Sequence, residues 1–253
     1  MYALVDEYLG VRMGVDLSKV SCDETTIVES GRRLSPETSY GYVHALWWLC
    51  FYDGRSVIAV PPGARSSIQA FIGNGGRPPL PSRAVGARLA AYMDPVIEAS
   101  GLVRDDRIQT GHLFACDERG LCRHSMAACA KLADAEVCLA EGIYVPRRCI
   151  QDGVAFGVLA EHAVVSVAYA HQSGALQERV ADVGVETTAK YRRRGMASAS
   201  VSALVADYCS RGGQAIYGCS RDNVPSIATA KSVGFQPYAQ SLVLSAHRGD
   251  AGR

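Results

Sequence analysis

A mixed α/β fold is predicted by the order and the period of the apolar residues. Three observations carry the prediction. From about residue 124 onward the pattern is cleaner: after a helix-patterned stretch, β-patterned segments come in a run and then alternate with helix-patterned ones. Before that, residues 45–60 (ALWWLCFYDGRSVIAV) place two β-rich runs on either side of Asp53-Gly54, a hairpin signal. Between these parts lies DERGLCR at 117–123, which is polar and contains Gly. The chain thus reads as an α/β part at 1–122 and a second part at 123–253. Its 253 residues are enough to bury a core without help from a disulfide or a metal.

The elements follow in order. Residues 1–40 mix weak helical patterns with polar turns and specify little. After the hairpin, GNGGRPPLPSR at 73–83 reads as a loop, because its glycines precede two prolines rather than a helix start. Residues 83–100 space their apolar side chains helically, with an interruption at Pro95, and 110–117 (TGHLFACD) reads as a strand. A helix is predicted over 126–140. Strands are predicted at 154–160, 163–170 and 178–187, the first two joined by a tight turn at Glu161-His162. A helix over 196–211, a strand at 214–219, a helix over 224–233 and a strand at 239–245 complete the series, and HRGDAGR at the end is expected to fray. Trp47, Trp48 and Tyr52 read as core of the first part.

Composition excludes several function classes. Lys+Arg minus Asp+Glu is 26 − 25 = +1, so no global basic excess points to nucleic acid or to an anionic membrane. The nine Cys contain no CxxC pair and no zinc spacing. Scattered in apolar runs, they read as buried small hydrophobes in a reducing compartment. The six His form no HxH or HExxH, so no metal is expected. MYALVDEYLG has acidic residues where a signal peptide needs Lys or Arg, and no apolar run approaches ~20 residues, so a soluble, cytoplasmic protein is expected.

The chemistry is concentrated in 180–198, VADVGVETTAKYRRRGMAS. A β-pattern at Val180, Val183 and Val185 runs through an Arg/Gly loop into a helix whose Val201, Leu204, Val205 and Tyr208 share one face. A strand, a loop and a helix N-terminus in that order can bind phosphate. The first helical N–H groups lack internal partners, and the helix dipole favours an anion there. Gly195 permits close backbone approach, Ala197 and Ser198 keep the first turn small, and Arg192, Arg193 and Arg194 add fork-shaped donors suited to pyrophosphate. RRRG alone also fits an exposed loop before a surface helix. A second pattern follows at 219–235, CSRDNVPSIATAKSVGF, with Asn223 as N-cap, Pro225 in the first turn and Gly234 at the C-terminal cap.

Together, R-x-x-G-x-A (Arg192, Gly195, Ala197) and N-x-x-S-x-x-x-A-x-x-x-G-F (Asn223, Ser226, Ala230, Gly234, Phe235) resemble the acetyl-CoA-binding half of the GCN5-related N-acetyltransferase (GNAT) superfamily. The resemblance covers roughly 124–245. Within the superfamily, VxVETxxxYRRRGMA with NxxSxxxAxxxGF is most similar to the branch of zwittermicin-resistance-type acetyltransferases, whose members carry a degenerate α/β half before the catalytic one. The implied fold is a mixed, mostly antiparallel sheet flanked by helices, with residues 1–122 as a degenerate, acceptor-shaping half.

The resemblance implies acetyl-CoA, or another acyl-CoA, as co-substrate in a splayed gap between strands 178–187 and 214–219. Pantetheine would pair with backbone near Val185, Glu186 and Thr187. The pyrophosphate would meet the N–H groups around Arg193, Arg194, Gly195, Met196, Ala197 and Ser198. Asn223 and Ser226 would lie near the thioester, and a small-molecule amine would enter from the other side of the sheet. Amine acylation needs a proton acceptor, and strand carboxylates are the candidates. Glu186 ranks first, Asp182 second, with Glu178 of the same parity. A carboxylate among Val183, Val185 and the sheet would be partly desolvated, and the bulge common in the superfamily would break the shared parity.

Many superfamily members place a thiolate-protonating Tyr where this chain has Ala230. Ser226, Ser220, Cys219 or a water would have to act instead, or the thiolate leaves unassisted. His171, after a strand end, is placed near the acceptor side. The leading expectation is an acyl-CoA-dependent N-acyltransferase acting on a small amine, such as an antibiotic or a natural-product intermediate. The alternatives are a GNAT-fold transferase that takes its acyl group from aminoacyl-tRNA, which the net charge does not support, and an inactive acyl-CoA-binding module. A monomer and a homodimer are both compatible with the sequence.

Overall fold

The computed structural model describes residues 2–36, 42–73, 79–126, 128–132, 137–171 and 176–248. The chain divides into two compact units. One comprises Asp6–Leu113, Ser220–Asp222 and Tyr238–Arg253, and the other Met1–Val5, Phe114–Cys219 and Asn223–Pro237. The sequence puts its boundary at 122/123. The chain crosses between units inside a strand, between Leu113 and Phe114, and its last strand returns to the first-named unit.

The first-named, N-terminal unit carries most of helix α1 (Ala3–Met13), strands β1 (Thr25–Glu29), β2 (Val43–Phe51) and β3 (Ser56–Val60), helices α2 (Arg65–Ile72) and α3 (Arg83–Ala99) and most of β4 (Leu102–Cys116). Its sheet is ordered β1-β3-β2-β10-β4, where β10 is Gln236–Arg248. The β2–β3 hairpin forms where Asp53-Gly54 predicts it. Val57 to Val60 are all fully buried, so β3 is covered on both faces, which accounts for its unbroken apolar run. Trp48 is also fully buried and donates its indole N–H to Ser56 at 3.1 Å, satisfying the one polar atom that its burial strands. Trp47 is core as expected. Tyr52 is not: it sits in the hairpin turn and is 55% exposed. Helix α3 runs through Pro95 without ending.

The second, C-terminal unit holds β5 (Cys129–Lys131), α4 (Arg147–Gln151), β6 (Ala155–Ala160), β7 (Ala163–Ala170), β8 (Val180–Thr187), α5 (Met196–Cys209), β9 (Gln214–Ser220) and α6 (Val224–Val233). Its strands are ordered β9-β8-β7-β6-β5. β5–β6, β6–β7, β7–β8, β2–β3 and β2–β10 are antiparallel, while β8–β9 and β1–β3 are parallel. The mixed, mostly antiparallel α/β fold with flanking helices is therefore as expected. On one face Ala168, Ala170, Ala181 and Val183 pack with Val201, Leu204, Val205 and Tyr208 of α5. On the other, Val167 and Tyr169 pack with Leu132, Val145, Cys149 and Ile150. Glu161 and His162 both take positive φ, 50° and 67°, the backbone of a two-residue hairpin turn that matches strand twist.

The helix predicted over 126–140 is absent among the described residues of that stretch. Cys129–Lys131 instead forms an edge strand against β6, and Leu139 bridges to Val164. The apolar residues that suggested a helical face are divided, with Leu132, Val137 and Leu139 packing separately onto one cluster. The strand predicted from 178 begins at Val180, which leaves Glu178 in the preceding turn. Cys116, Cys149 and Cys209 are buried, but Cys22, Cys122 and Cys138 are exposed, so the reading of all nine as buried hydrophobes is corrected. Gly75 and Gly76 of the 73–83 loop and the last five residues of the tail lie outside the described residues. Among the described residues, no helix is long and apolar enough to cross a membrane.

Candidate functional site

The site is built on a fork between β8 and β9. The two strands run parallel and in register from Val180↔Gln214 to Val183↔Tyr217. β8 then continues to Thr187 and β9 to Ser220 with no further pairing between them. On its other side β8 stays paired with β7 from Ala170↔Val183 to Ser166↔Thr187, so its register there is unbroken. His171 N–H donates to the Asp182 carbonyl at 2.8 Å, which fixes the hydrogen-bonding phase. Asp182, Gly184 and Glu186 therefore turn their backbone groups toward β7. Val185, opposite Ala168, turns its N–H and C=O toward the fork.

At the end of β8 the chain makes one short 3-10 turn, Ala189–Tyr191, and enters α5. Gly195 caps that helix in the left-handed region at φ 77°, with no side-chain cap. A Cβ there would meet nothing within 4 Å, so the space in front of the helix is open. Arg193 also has positive φ, 60°. The Ala199 N–H is the first to bond back, to the Gly195 carbonyl at 3.0 Å, so the N–H groups of Met196, Ala197 and Ser198 point out of the helix end. Arg192, Arg193, Arg194 and Gly195 are exposed. The Arg192 Nε donates to the Thr187 carbonyl at 3.1 Å, tying the loop to the strand end. A run of hydroxyls fixes the helix start: Ser166 Oγ meets Thr187 Oγ1 at 2.8 Å and Ser200 Oγ at 3.4 Å, and Ser200 donates to the Met196 and Ala197 carbonyls. Ser166 and Ser200 are fully buried.

Asp182 and Glu186 share the face opposite α5, because the register of β8 is unbroken and contains no bulge. Glu186 is therefore not among Val183 and Val185, which pack toward α5. It is half-buried on the other face, where its Oε2 accepts the Tyr144 N–H at 2.7 Å. Its Oε1 has no hydrogen-bond partner among the described residues. The ring of Tyr169 lies across Gly184, where an added Cβ would be 2.6 Å from Cζ. His171 stacks edge-on against Tyr169 at 5.1 Å. Asp182, Glu186, Tyr169 and His171 thus belong to one face, and Tyr144 is held there by Glu186.

On the α5 face, α6 starts at Asn223, whose side chain accepts the Ser226 N–H at 3.2 Å. Ser226 Oγ meets Tyr217 Oη at 2.7 Å. Tyr217 is 1% exposed and is the last residue of β9 that pairs with β8. Burial pushes its hydroxyl above the ordinary phenol range, against a lowering by Ser226. Burial likewise raises the Cys219 thiol, again opposed by Ser226. Ala230 is fully buried in the same cluster as Tyr217. Gly234 closes α6 at φ 97°, and Phe235 stacks on Tyr217 at 5.5 Å.

The fork, the Arg/Gly loop, Asn223 and Ser226 all belong to the C-terminal unit. Tyr217, Tyr144 and the buried hydroxyls of Ser166 and Ser200 leave no mark in the sequence that points to the site. In QAIYGC a Tyr reads only as a strand former, and nothing in its spacing marks a partner nine residues away. Among the described residues, no group of three or more His, Cys, Asp or Glu could hold a metal ion.

Residues 146–240 match the model of the GNAT acetyltransferase family. No curated protein sequence matches the chain. Among solved structures, it is similar to a GNAT-family acetyltransferase from Novosphingobium aromaticivorans, at 16% identity and TM-score 0.48 over 76% of this chain and 84% of the other. A GNAT-family acetyltransferase from Colwellia psychrerythraea is 13% identical, with TM-score 0.48 over 74% and 75%. A GCN5-related N-acetyltransferase-like protein from Streptococcus suis is 19% identical, with TM-score 0.40 over 65% and 76%.

Proposed function

We propose that the protein is an acyltransferase that takes an acyl group from acetyl-CoA, or a close acyl-CoA, and passes it to an amine of a small molecule. The observation that carries this reading is the fork. Val185 offers unpaired backbone groups to an extended chain beside an uncapped helix end flanked by three arginines. Pantetheine is an extended amide chain and pyrophosphate is an anion. One ligand that joins them fits a strand edge that leads to a helix N-terminus. The match over 146–240 includes every part of this arrangement.

The chemistry follows from the two faces. The amine approaches on the Asp182/Glu186 face, and Glu186 Oε1 accepts its proton directly or through one water. The nitrogen attacks the thioester carbonyl, the C–N bond forms and the C–S bond breaks. The sulfur keeps the bonding pair and is then protonated. Holding both substrates at the fork supplies much of the rate.

Thiol release from acetyl-CoA, followed across a panel of primary and secondary amines, tests the reading. Amine-dependent release above the hydrolytic background is expected for at least one amine class. Binding of CoA without turnover on any amine would replace the transferase with a binding module. No thiol release, with amine-dependent deacylation of aminoacyl-tRNA instead, would replace the donor.

A further inference from the structure

Tyr217 is placed where no strand pattern predicts a functional residue. It is the last residue of β9 that pairs with β8, so it stands at the crotch of the fork. Its ring is buried beside Ala230 and Phe235, and its hydroxyl meets Ser226 Oγ at 2.7 Å. Ser226 lies in the first turn of α6 and is half-buried, so of the two hydroxyls it is the one that reaches toward solvent. Ala230 is one helical turn further along α6 and has only a methyl group, which leaves room for the Tyr217 ring.

We propose that Ser226 and Tyr217 form a two-hydroxyl relay that holds the departing sulfur: Ser226 donates to the sulfur and Tyr217 donates to Ser226. This rests on the acyl-CoA reading above. As the C–S bond breaks, the sulfur takes the electron pair and becomes a thiolate. A hydrogen bond from Ser226 stabilises that charge, and Tyr217 polarises the Ser226 hydroxyl so that the two bonds reinforce each other. No proton needs to leave Tyr217. The proton released by the amine nitrogen ends on the sulfur, and the products are the amide and the free thiol. With its hydroxyl pushed up by burial, Tyr217 stays protonated through neutral pH and remains a donor. Ser226 would be the catalytic residue and Tyr217 a positioning residue acting through it.

The test needs no acceptor. Ultraviolet absorbance of the CoA thiolate bound to the full chain, with the desulfo-CoA complex as blank, reads the pKa of the bound thiol. Calorimetry at neutral pH reads affinity separately. In the wild type, the bound thiol should titrate about one unit below free CoA, the size expected for a hydrogen bond to a charged acceptor. Ser226→Ala should return it by about one unit. Tyr217→Phe, which keeps the ring in the core, should return it by part of that. Affinity for CoA should stay within about threefold in both, because a neutral thiol gains little from the pair. A purely structural role would change affinity or folding and leave the thiol pKa alone. Bound CoA with the same thiol pKa in wild type, Ser226→Ala and Tyr217→Phe overturns the relay and spares the acyl-CoA reading. Failure of the folded wild type to bind CoA overturns both.

Discussion

The two oxygens of the Glu186 carboxylate meet different surroundings. Oε2 holds the Tyr144 N–H, and Oε1 has no partner among the described residues. Substitution can therefore separate two roles. Glu186→Gln retains an oxygen that can accept from Tyr144 but removes the proton acceptor, whereas Glu186→Ala removes both. General-base terms are worth ~10²–10⁴ in rate, so Glu186→Gln should lower kcat at least about tenfold with little change in the KM for acetyl-CoA. The deficit should shrink as pH rises, because more of the amine then arrives neutral. Asp182→Asn is the comparison: Asp182 lies on the same face, but four residues earlier, or about 13 Å along the strand. A near-normal Glu186→Gln beside a crippled Asp182→Asn would move the base to Asp182. The shared parity of the two was legible in the sequence, because a regular strand alternates faces. That this face is the one away from α5, and that Tyr144 comes to rest on it, depends on long-range packing that leaves no local signature.

Elements that begin and end with strong local chemistry were legible at the sequence level. α6 starts at Asn223, which caps it, and ends at Gly234, which needs positive φ; both are visible as residues. The structure adds a second constraint on Gly234, since a Cβ there would lie 1.9 Å from the Gly120 carbonyl oxygen. Gly234→Ala should therefore unfold more easily by about 3 kcal/mol or more, read as a lower urea midpoint at unchanged slope. Wild-type stability in that variant would mean that the 120–122 turn gives way freely. The stretch 126–140 shows the opposite case. Its apolar spacing fits a helix, yet Cys129–Lys131 pairs with β6 as an edge strand because an open sheet edge was available there. Propensity is a weak prior when a template strand is at hand.

At the scale of the whole molecule, three buried thiols set a pH limit on stability. Burial pushes Cys116 up to about 12 and Cys149 and Cys209 up to about 11. Each thiol ionises in the unfolded chain at a lower pH than in the folded one. The folded state thus holds more protons between the two values, and stability falls as pH rises through that interval. Below about pH 8 the thiol contribution is complete. Between about pH 9 and pH 11 it is progressively lost. Denaturant midpoints should be flat from pH 7 to 8 and drop between pH 9 and 10.5. Replacing Cys116 with Ala should soften the drop, and an undiminished slope in that variant would assign it to other groups.

On the proposed function, one acyl-CoA lies along the fork and ends at the N-terminus of α5, which has no side-chain cap. Titration calorimetry of CoA into the full chain, beside Gly195→Glu, tests it most directly. Gly195 faces open space, so a Glu there is strained by its backbone conformation but has room for its side chain, and it puts a carboxylate where the pyrophosphate would lie. One CoA per chain is expected for the wild type, with at least about a hundredfold weaker binding in a folded Gly195→Glu. Equal CoA affinity in the two folded proteins, or no binding by the wild type at millimolar CoA, would contradict it.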